Sequence, residues 1–272
     1  MFYLVATPIG NLEDITYRAV RVLKEVTCIY AEDTRNSLKL LNSLGIKKPI
    51  YSCHLHNEEE KSAEIADKLR EGLDIAYISD AGCPGISDPG ARLVRRCIEN
   101  DLSFTVLPGA NAALTALVLS GLPSDTFTFQ GFLPRTLTER SAILTALLPE
   151  KHTLIFYESP NRISDTIFDL LSVMGDREAA LLREITKIYE EARRGKLSEI
   201  IESIKISPVR GECVIVVAGC KDGEEESPEL LIKTLLLRGI SVKEIAKQVS
   251  AACSISKNKA YEITMKIKEQ IQ

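Results

Sequence analysis

The sequence lacks several features that would assign it to a membrane or secreted class. Its 272 residues include no tryptophan and only three histidines. No apolar run approaches the roughly 18 residues that a membrane helix requires, and the N-terminus has no basic segment of the kind that begins a secretory signal. We therefore expect a soluble protein that stays in the cytoplasm and does not enter a membrane.

Motifs of several common chemistries are also missing. The chain contains no GxGxxG fingerprint, no P-loop lysine motif and no GxSxG elbow, which disfavours a standard dinucleotide site, a nucleoside triphosphate site and a hydrolase triad. Cys53, His54 and His56 carry atoms that bind metals, but no second cluster matches them, so we predict no metal site. The seven scattered cysteines predict reduced thiols rather than a disulfide framework.

The composition is that of a globular protein with an uneven charge distribution. Hydrophobic residues make up 45% and charged residues 26% of a chain large enough for two domains and a small appendage. Residues 230–272 contain eight Lys or Arg and three Asp or Glu, a net charge of +5, whereas residues 1–229 carry −9. This basic segment is able to bind phosphates, although a solvated surface helix has the same charge pattern.

Strand and helix patterns alternate through the first half of the chain. Apolar runs predict strands at residues 2–6, 28–31, 75–79 and 103–107, and amphipathic patterns predict helices at residues 16–25, 58–71, 88–100 and 110–120, with another beginning at Asn36. Strands separated by helices indicate a largely parallel sheet that is covered on both faces. Residues 121–134 are rich in turn formers and aromatics, which predicts a domain boundary there.

The second half repeats this alternation and then changes to helices alone. The patterns predict strands at residues 153–157, 179–183 and 212–218, with helices at 138–148, 160–173 and 197–205 between them. A charged linker at residues 221–228 precedes three short helices, in which Gly239 and Ser241 fit a helix end and a following helix start, as in a helix-turn-helix or an ordinary helical hairpin. We predict α/β domains at residues 1–121 and 122–222, and a helical domain at 229–272.

The loops after the strands are the places where an open parallel sheet binds ligands. Residues 7–14 contain a turn at Pro8 and Gly10, and residues 108–112 are small. Residues 80–90 hold three glycines and two prolines and give the strongest local signal, because glycines let the backbone approach a ligand closely. Alternatively, the first loop is a plain turn, and Ser87 or Asp88 caps the next helix.

Charged side chains follow three further strands, at residues 31–35, 156–162 and 183–191. Opposed acids and bases at strand ends can position a hydroxyl group and move its proton. Surface salt bridges are the alternative, and Arg35 in particular is able to form a local pair with Asp33.

Five segments carry a specific resemblance to a known family. Residues 4–15 (LVATPIGNLEDI), 31–35 (AEDTR), 79–90 (SDAGCPGISDPG), 156–160 (FYESP) and 183–187 (REITK) resemble a family of ribosomal RNA methyltransferases within the tetrapyrrole methylase superfamily. The resemblance runs from residue 4 to about residue 219. It implies two α/β domains of the tetrapyrrole methylase type with S-adenosylmethionine in the cleft between them, and a homodimer. It also implies 2′-O-methylation of a cytidine in the decoding centre of 16S rRNA, on the RNA or the small ribosomal subunit.

The resemblance also assigns residues. It places on the cofactor Thr7, Pro8, Gly10, Asp80, Gly82, Cys83, Ile86, Asn111, Ala112, Tyr157 and Gly211. Transfer of a methyl group to a ribose hydroxyl requires an in-line arrangement and removal of the hydroxyl proton, for which a Glu or a Lys is suited. We predict that Glu184 and Lys187 carry the catalysis, and that Glu158, Arg162 and Arg35 orient the nucleotide.

Two other functions compete with this one. A tetrapyrrole C-methyltransferase, acting on a precorrin or uroporphyrinogen, belongs to the same superfamily, but its anionic ligand favours an Arg-rich cleft and needs no basic helical tail. A non-catalytic nucleic-acid-binding protein would use the helix-turn-helix-like end alone. The many charged loops at strand ends disfavour this second alternative.

Overall fold

The computed structural model describes residues 1–220, 228–253 and 255–271. Of the predicted linker at 221–228, residues 221–227 lie outside the described residues. The chain divides into two compact units, the first formed by residues 1–112 with 186–188 and the second by residues 113–185 with 189–272. The domains predicted at 1–121, 122–222 and 229–272 differ in extent from these units and stay a prediction. None of the described helices is long and apolar enough to cross a membrane.

The first unit contains a five-stranded parallel sheet, and the sequence predicts its parallel character and four of its five strands. Its strands are β1 (Phe2–Val5), β2 (Cys28–Ala31), β3 (Ile50–Ser52), β4 (Ile75–Ile78) and β5 (Phe104–Leu107), in the order β3-β2-β4-β1-β5. Its helices are α1 (Tyr17–Glu25), α2 (Thr34–Ser43), α3 (Glu58–Arg70) and α4 (Ala91–Glu99). In the central strand β1, Phe2 pairs with Ile75 of β4 on one side and with Phe104 of β5 on the other.

Helices cover both faces of this sheet. Leu4 of β1 packs in a core with α3 and α4, whereas the next residue, Val5, packs in a second core with α1 and α2. This alternation follows from the two-residue period of a strand, which turns successive side chains to opposite faces. The chain runs from β1 through β2 to β3 towards one edge of the sheet, and from β3 through β4 to β5 towards the other. Because crossovers between parallel strands are right-handed, connections in opposite directions lie on opposite faces.

The second unit contains a five-stranded sheet of a different kind. Its strands are β6 (Phe127–Phe132), β7 (Thr153–Glu158), β8 (Glu178–Arg183), β9 (Glu191–Lys196) and β10 (Cys213–Val217), in the order β6-β7-β10-β8-β9. Only β6 and β7 are parallel, and the other neighbours are antiparallel. Cys213 pairs with both Glu158 and Arg183, so the carboxyl ends of β7 and β8 lie at one edge of the sheet.

The helices of this unit are α5 (Ala112–Ser120), α6 (Leu137–Ala146), α7 (Ile163–Met174), α8 (Leu197–Ile206), α9 (Pro228–Leu237), α10 (Val242–Ala252) and α11 (Lys257–Ile271). Helices α6 to α11 contribute buried residues to one hydrophobic core with the sheet. Leu235 and Ile245 of the C-terminal helices are buried in the same cluster as Leu170 of α7. The predicted helix end and start are confirmed, since Gly239 has φ +76° and Ser241 accepts a hydrogen bond from the Glu244 amide.

The predicted elements differ from the observed ones at several points. The strands β3, β6 and β9 were not predicted, and β6 lies inside the segment that the sequence assigns to a boundary. Helix α2 begins at Thr34 rather than at Asn36 because the Asp33 carboxylate accepts a hydrogen bond from the Arg35 amide and caps it. Helix α4 begins at Ala91 because the glycine-rich loop before it continues to Gly90.

Candidate functional site

Two of the predicted cofactor loops in the first unit are joined directly. The Thr7 amide donates to the Gly82 carbonyl over 2.9 Å, and the Gly82 amide donates to the Thr7 carbonyl over 3.1 Å. The Thr7 hydroxyl also donates to the Ser79 carbonyl over 3.3 Å. Gly82 has φ +75°, a conformation that favours glycine. The turns after β1 and β4 therefore form one continuous backbone surface.

The third predicted loop, after β5, lies against the other two. A Cβ on Gly109 would lie 2.8 Å from the Cβ of Ala6, and a Cβ on Gly82 would lie 3.7 Å from the Ala110 carbonyl oxygen. Because β4, β1 and β5 are neighbours, their carboxyl ends bring all three loops to one edge of the sheet. Small residues at the contacts leave the backbone accessible to a ligand.

The predicted cofactor residues of these loops differ in exposure. Gly10 and Ile86 are exposed, whereas Pro8, Cys83, Asn111 and Ala112 are half-buried. Burial raises the pKa of the Cys83 thiol, and the nearby Asp88 raises it further. Cys83 is therefore a neutral thiol at physiological pH.

Asp80 has partners within the protein. Its carboxylate accepts a hydrogen bond from the Asp33 amide over 3.2 Å and another from the Asn36 side chain over 3.0 Å. These bonds tie the loop after β4 to the start of α2. The predicted role of Asp80 in cofactor binding thus accompanies an observed role in holding two neighbouring loops together.

Three acidic side chains are grouped near this connection. Burial raises the pKa of Asp88 to about 7, with further contributions from Glu32 and Asp80. Burial also raises the pKa of Glu32. Asp88 is therefore partly protonated near neutral pH, and its charge changes in the physiological range.

Arg35 forms the local pair that the sequence left open. Its Nε and Nη2 atoms donate to the two Asp33 carboxylate oxygens over 3.1 and 2.7 Å. Hydrogen bonds from Arg35 lower the pKa of Asp33 to about 2. The Arg35 side chain is nevertheless 87% exposed, so the guanidinium remains accessible to a phosphate.

Glu158 and Arg162 support a loop in the second unit. Glu158 is 3% exposed and accepts hydrogen bonds from the Ser159 amide over 2.8 Å and the Thr166 hydroxyl over 2.7 Å. Arg162 lies 3.2 Å from the same carboxylate and donates to the carbonyls of Leu133 and Pro134. Both side chains are used in joining the end of β7 to α7 and to the end of β6.

Tyr157 lies in an aromatic cluster that the sequence did not predict. Its ring packs edge-on against Phe129 and Phe132, with centroids 5.0 and 5.5 Å away. Its hydroxyl accepts a hydrogen bond from the Ala113 amide over 3.2 Å, at the start of α5. The aromatic residues between 127 and 132 are the sequence signal for this cluster, but from the sequence we assign them to a domain boundary.

Glu184 occupies a strained turn at the end of β8. Its φ is +51°, an uncommon conformation for a residue with a side chain. Its amide donates to the Glu212 carbonyl over 3.0 Å, and its Oε1 accepts from the Glu212 amide over 3.0 Å. Gly211 lies directly beneath its carboxylate, in a position where any Cβ would overlap the Glu184 side chain.

Lys187 belongs to the first unit and packs on its first loop. Residues 186–188 are part of that unit, and a Cβ on Gly10 would lie 2.5 Å from Lys187 Cγ and 2.9 Å from Thr186 Oγ1. The next residue, Ile188, is 91% exposed. The sequence did not predict this contact, because 177 positions separate the two residues.

Comparisons with known proteins show the family to which the chain belongs. Residues 1–201 match the family model described as Tetrapyrrole (Corrin/Porphyrin) Methylases. A protein named Ribosomal RNA small subunit methyltransferase I from Halalkalibacterium halodurans is 45% identical over 96% of this chain and 93% of its own length. A protein of the same name from Bacillus subtilis is 42% identical over the same shares of both chains.

Solved structures share the fold at lower identity. A uroporphyrin-III-C-methyltransferase from Thermus thermophilus matches with a TM-score of 0.55 and 21% identity, covering 80% of this chain and 93% of its own. A diphthine synthase matches with a TM-score of 0.60 and 14% identity, covering 80% of this chain and 89% of its own. The chain therefore belongs to the tetrapyrrole methylase family and, within it, to the group of ribosomal RNA small subunit methyltransferase I proteins.

Proposed function

We propose that this protein uses S-adenosylmethionine to methylate the ribose 2′-hydroxyl of a cytidine in the decoding centre of 16S rRNA. Its similarity to proteins named Ribosomal RNA small subunit methyltransferase I supports the RNA substrate. The joined loops after β4, β1 and β5 are the structural observation that carries the proposal. They present glycines and small residues where a nucleoside cofactor needs close approach to backbone groups.

The residues of these loops fit the proposed cofactor. The exposed Gly109 and the half-buried Ala112 bring backbone groups to this edge of the sheet, and the exposed Ile86 and half-buried Cys83 offer apolar surface. A nucleoside with a cationic sulfonium and an amino-acid tail needs both kinds of contact. When bound, S-adenosylmethionine would supply an activated methyl carbon and leave as a neutral thioether. Tyr157 and Gly211 remain predicted cofactor contacts.

Glu184 and Lys187 are the proposed catalytic residues. The ribose oxygen must attack in line with the carbon–sulfur bond while its proton is transferred to a base. A carboxylate is able to take that proton, and a lysine ammonium stabilises negative charge as it develops on the oxygen. Glu184 is held at a strained φ of +51° by two hydrogen bonds to Glu212. Such strain occurs where surrounding structure fixes a functional side chain.

Arg35 is the proposed nucleotide-orienting cation. Its guanidinium is oriented by Asp33 and is largely exposed, and its positive charge is suited to a phosphate. For Glu158 and Arg162 we propose support of the loop after β7 instead of direct contact with the nucleotide. Their hydrogen bonds to Ser159, Thr166 and neighbouring carbonyls favour this assignment.

The C-terminal helices are the proposed RNA contact. Of the eight basic residues between 230 and 272, Arg238 is half-buried in an ion pair with Asp169 and the seven lysines are exposed. Lys257 and Lys259 lie in the first turn of α11, close to the exposed Tyr261. Phosphate contacts of this kind give affinity that falls with salt.

A homodimer in the cytoplasm is the proposed assembly and location. Helix α5 supports the dimer, because Leu114 is 50% and Val118 is 75% exposed and residues four apart lie on one helix face. An exposed apolar face of this kind is typical of protein contacts.

Two measurements test the proposed function together. Calorimetric titration should show that wild type, Glu184→Gln and Lys187→Ala bind S-adenosylmethionine with similar affinity. Transfer of labelled methyl to small ribosomal subunits should be abolished or strongly reduced in both variants. Loss of cofactor binding in the variants would overturn the catalytic assignment, and absence of binding by the wild type would overturn the methyltransferase itself.

A further inference from the structure

We infer that Gly10 is a positioning residue for Lys187 and acts by leaving room for its side chain rather than by binding the cofactor. This inference rests on the proposed catalytic role of Lys187. The resemblance predicts Gly10 as a cofactor contact. The structure places the stem of Lys187 across the position that a side chain on Gly10 would fill.

The distances show how little space is available. A Cβ on Gly10 would lie 2.5 Å from Lys187 Cγ, 3.0 Å from Lys187 Cε and 2.9 Å from Thr186 Oγ1. Carbon atoms in contact are normally about 3.5–4.0 Å apart, so a methyl group there displaces the lysine. Both Cγ and Cε of Lys187 therefore lie over the glycine, so its side chain crosses the loop at this point.

The backbone of Gly10 does not itself require glycine. The positive-φ glycines include Gly45, Gly72 and Gly82, but Gly10 is not among them. Space is therefore what requires glycine at position 10. An alanine there is compatible with the backbone, and the three atoms nearest to its methyl group belong to residues 186 and 187.

Glu184 shows the same arrangement in the second unit. Gly211 has φ +84° and lies beneath the Glu184 carboxylate, with a Cβ position 2.6 Å from Glu184 Cγ. The backbone of the next residue, Glu212, holds that carboxylate by a hydrogen bond of 3.0 Å. Each proposed catalytic side chain thus lies over one glycine that is distant in sequence. Gly10 gives the cleaner test because its backbone tolerates alanine.

The variant Gly10→Ala tests the inference directly. Displacing a catalytic group by about 1 Å can reduce turnover by about 10²-fold, so we expect a loss of that order in kcat. We expect the KM for S-adenosylmethionine and the midpoint of thermal unfolding to change little, because a flexible side chain is able to move away. Gly45→Ala is the matched control. Among the residues that the structure describes, none apart from its chain neighbours lies within 4 Å of the added methyl group, and its positive φ makes the substitution cost stability without affecting turnover.

A double-mutant cycle separates this inference from the proposed function. Lys187→Ala removes Cγ, so Gly10→Ala should have no further effect on kcat in that background. Additive losses would overturn the inference and would show that Gly10 acts independently of Lys187. A raised cofactor KM in Gly10→Ala would overturn it in favour of direct cofactor contact. If Lys187→Ala keeps full activity, the proposed catalytic role fails instead, whatever Gly10→Ala does.

Discussion

Arg238, which follows the last turn of α9, forms an ion pair with Asp169 of α7, and Arg140 of α6 pairs with the same carboxylate. The Asp169 side chain is 1% exposed. Burial lowers the pKa of Arg238, and the charge of Arg140 lowers it further. One buried carboxylate thus pairs with two arginines and connects the C-terminal helices to the body of the second unit.

Replacement of Asp169 with alanine should strongly destabilise the protein. Two guanidinium groups would remain in a largely buried position without their acid, and breaking a buried pair typically costs about 3–5 kcal/mol. Denaturant unfolding measures this change in free energy. The control is Arg21→Ala, which removes an exposed pair with Glu25 and should cost less than about 1 kcal/mol. Equal effects of the two substitutions would contradict the connecting role of Asp169.

The pKa of Asp88 predicts a pH dependence of stability. Its folded value of about 7 lies above the ordinary value of 3.8, because burial and the acids Glu32 and Asp80 disfavour its charge. Between these two values the folded state holds a proton that the unfolded state has released, so stability falls as pH rises from about 4 to 7.

The variant Asp88→Asn should remove this dependence. We expect it to be more stable than the wild type at pH 8 and to lose the advantage towards pH 4, measured as thermal midpoints across that range. Asp125→Asn, which changes an exposed carboxylate, is the control. An unchanged difference between Asp88→Asn and wild type at all pH values would refute the raised pKa.

The basic α11 predicts salt-dependent RNA binding. Replacement of Lys257 and Lys259 with glutamine should weaken binding to small-subunit RNA. It should also lower the slope of log affinity against log salt by about 0.7 for each single-strand phosphate that the protein no longer neutralises. Filter binding at several salt concentrations measures both quantities. Lys39→Gln with Lys47→Gln makes the same charge change at exposed sites in the first unit and should leave the slope as it is. An equal reduction in both double variants would mean that net charge, not α11, binds RNA.

Because the apolar face of α5 is exposed, we expect a dimer in which this face is buried and which a single charged side chain there disrupts. Light scattering should give twice the monomer mass for the wild type and the monomer mass for Val118→Lys. Ile206→Lys introduces the same charge at an 86% exposed position on α8 and should stay dimeric. A monomeric wild type would end the proposal of a homodimer.

The sequence predicts the parallel sheet of the first unit well because buried strands are continuous apolar runs. The sequence does not predict β9, because its residues EARRGK show no apolar alternation. Arg193 and Arg194 of this strand instead use their guanidinium groups to donate to backbone carbonyls of neighbouring elements. The sequence makes no prediction for the strand directions of the second sheet. Antiparallel pairing of β7, β10 and β8 depends on chain path, which helix and strand patterns do not contain.

The sequence likewise predicts some features of the candidate site and not others. Glycine-rich loops after strands are visible as motifs, and the structure brings them together at one sheet edge. The burial of Glu158 and the contact of Lys187 with Gly10 depend on packing between residues that are distant in sequence, which motifs do not contain. A charged residue after a strand has the same sequence signature whether it meets a substrate or supports a loop, so residue type alone does not distinguish the buried Glu158 from Glu184, the proposed catalytic residue.

The most direct test of the proposed activity is to locate the transferred methyl group. The wild-type protein is incubated with labelled S-adenosylmethionine and, in parallel, with small ribosomal subunits, naked 16S rRNA and uroporphyrinogen, and the products are digested and identified by mass spectrometry. We expect the label on the ribose of one cytidine, recovered as 2′-O-methylcytidine. Label on a base, or on the tetrapyrrole carbon skeleton with none on RNA, would contradict the account.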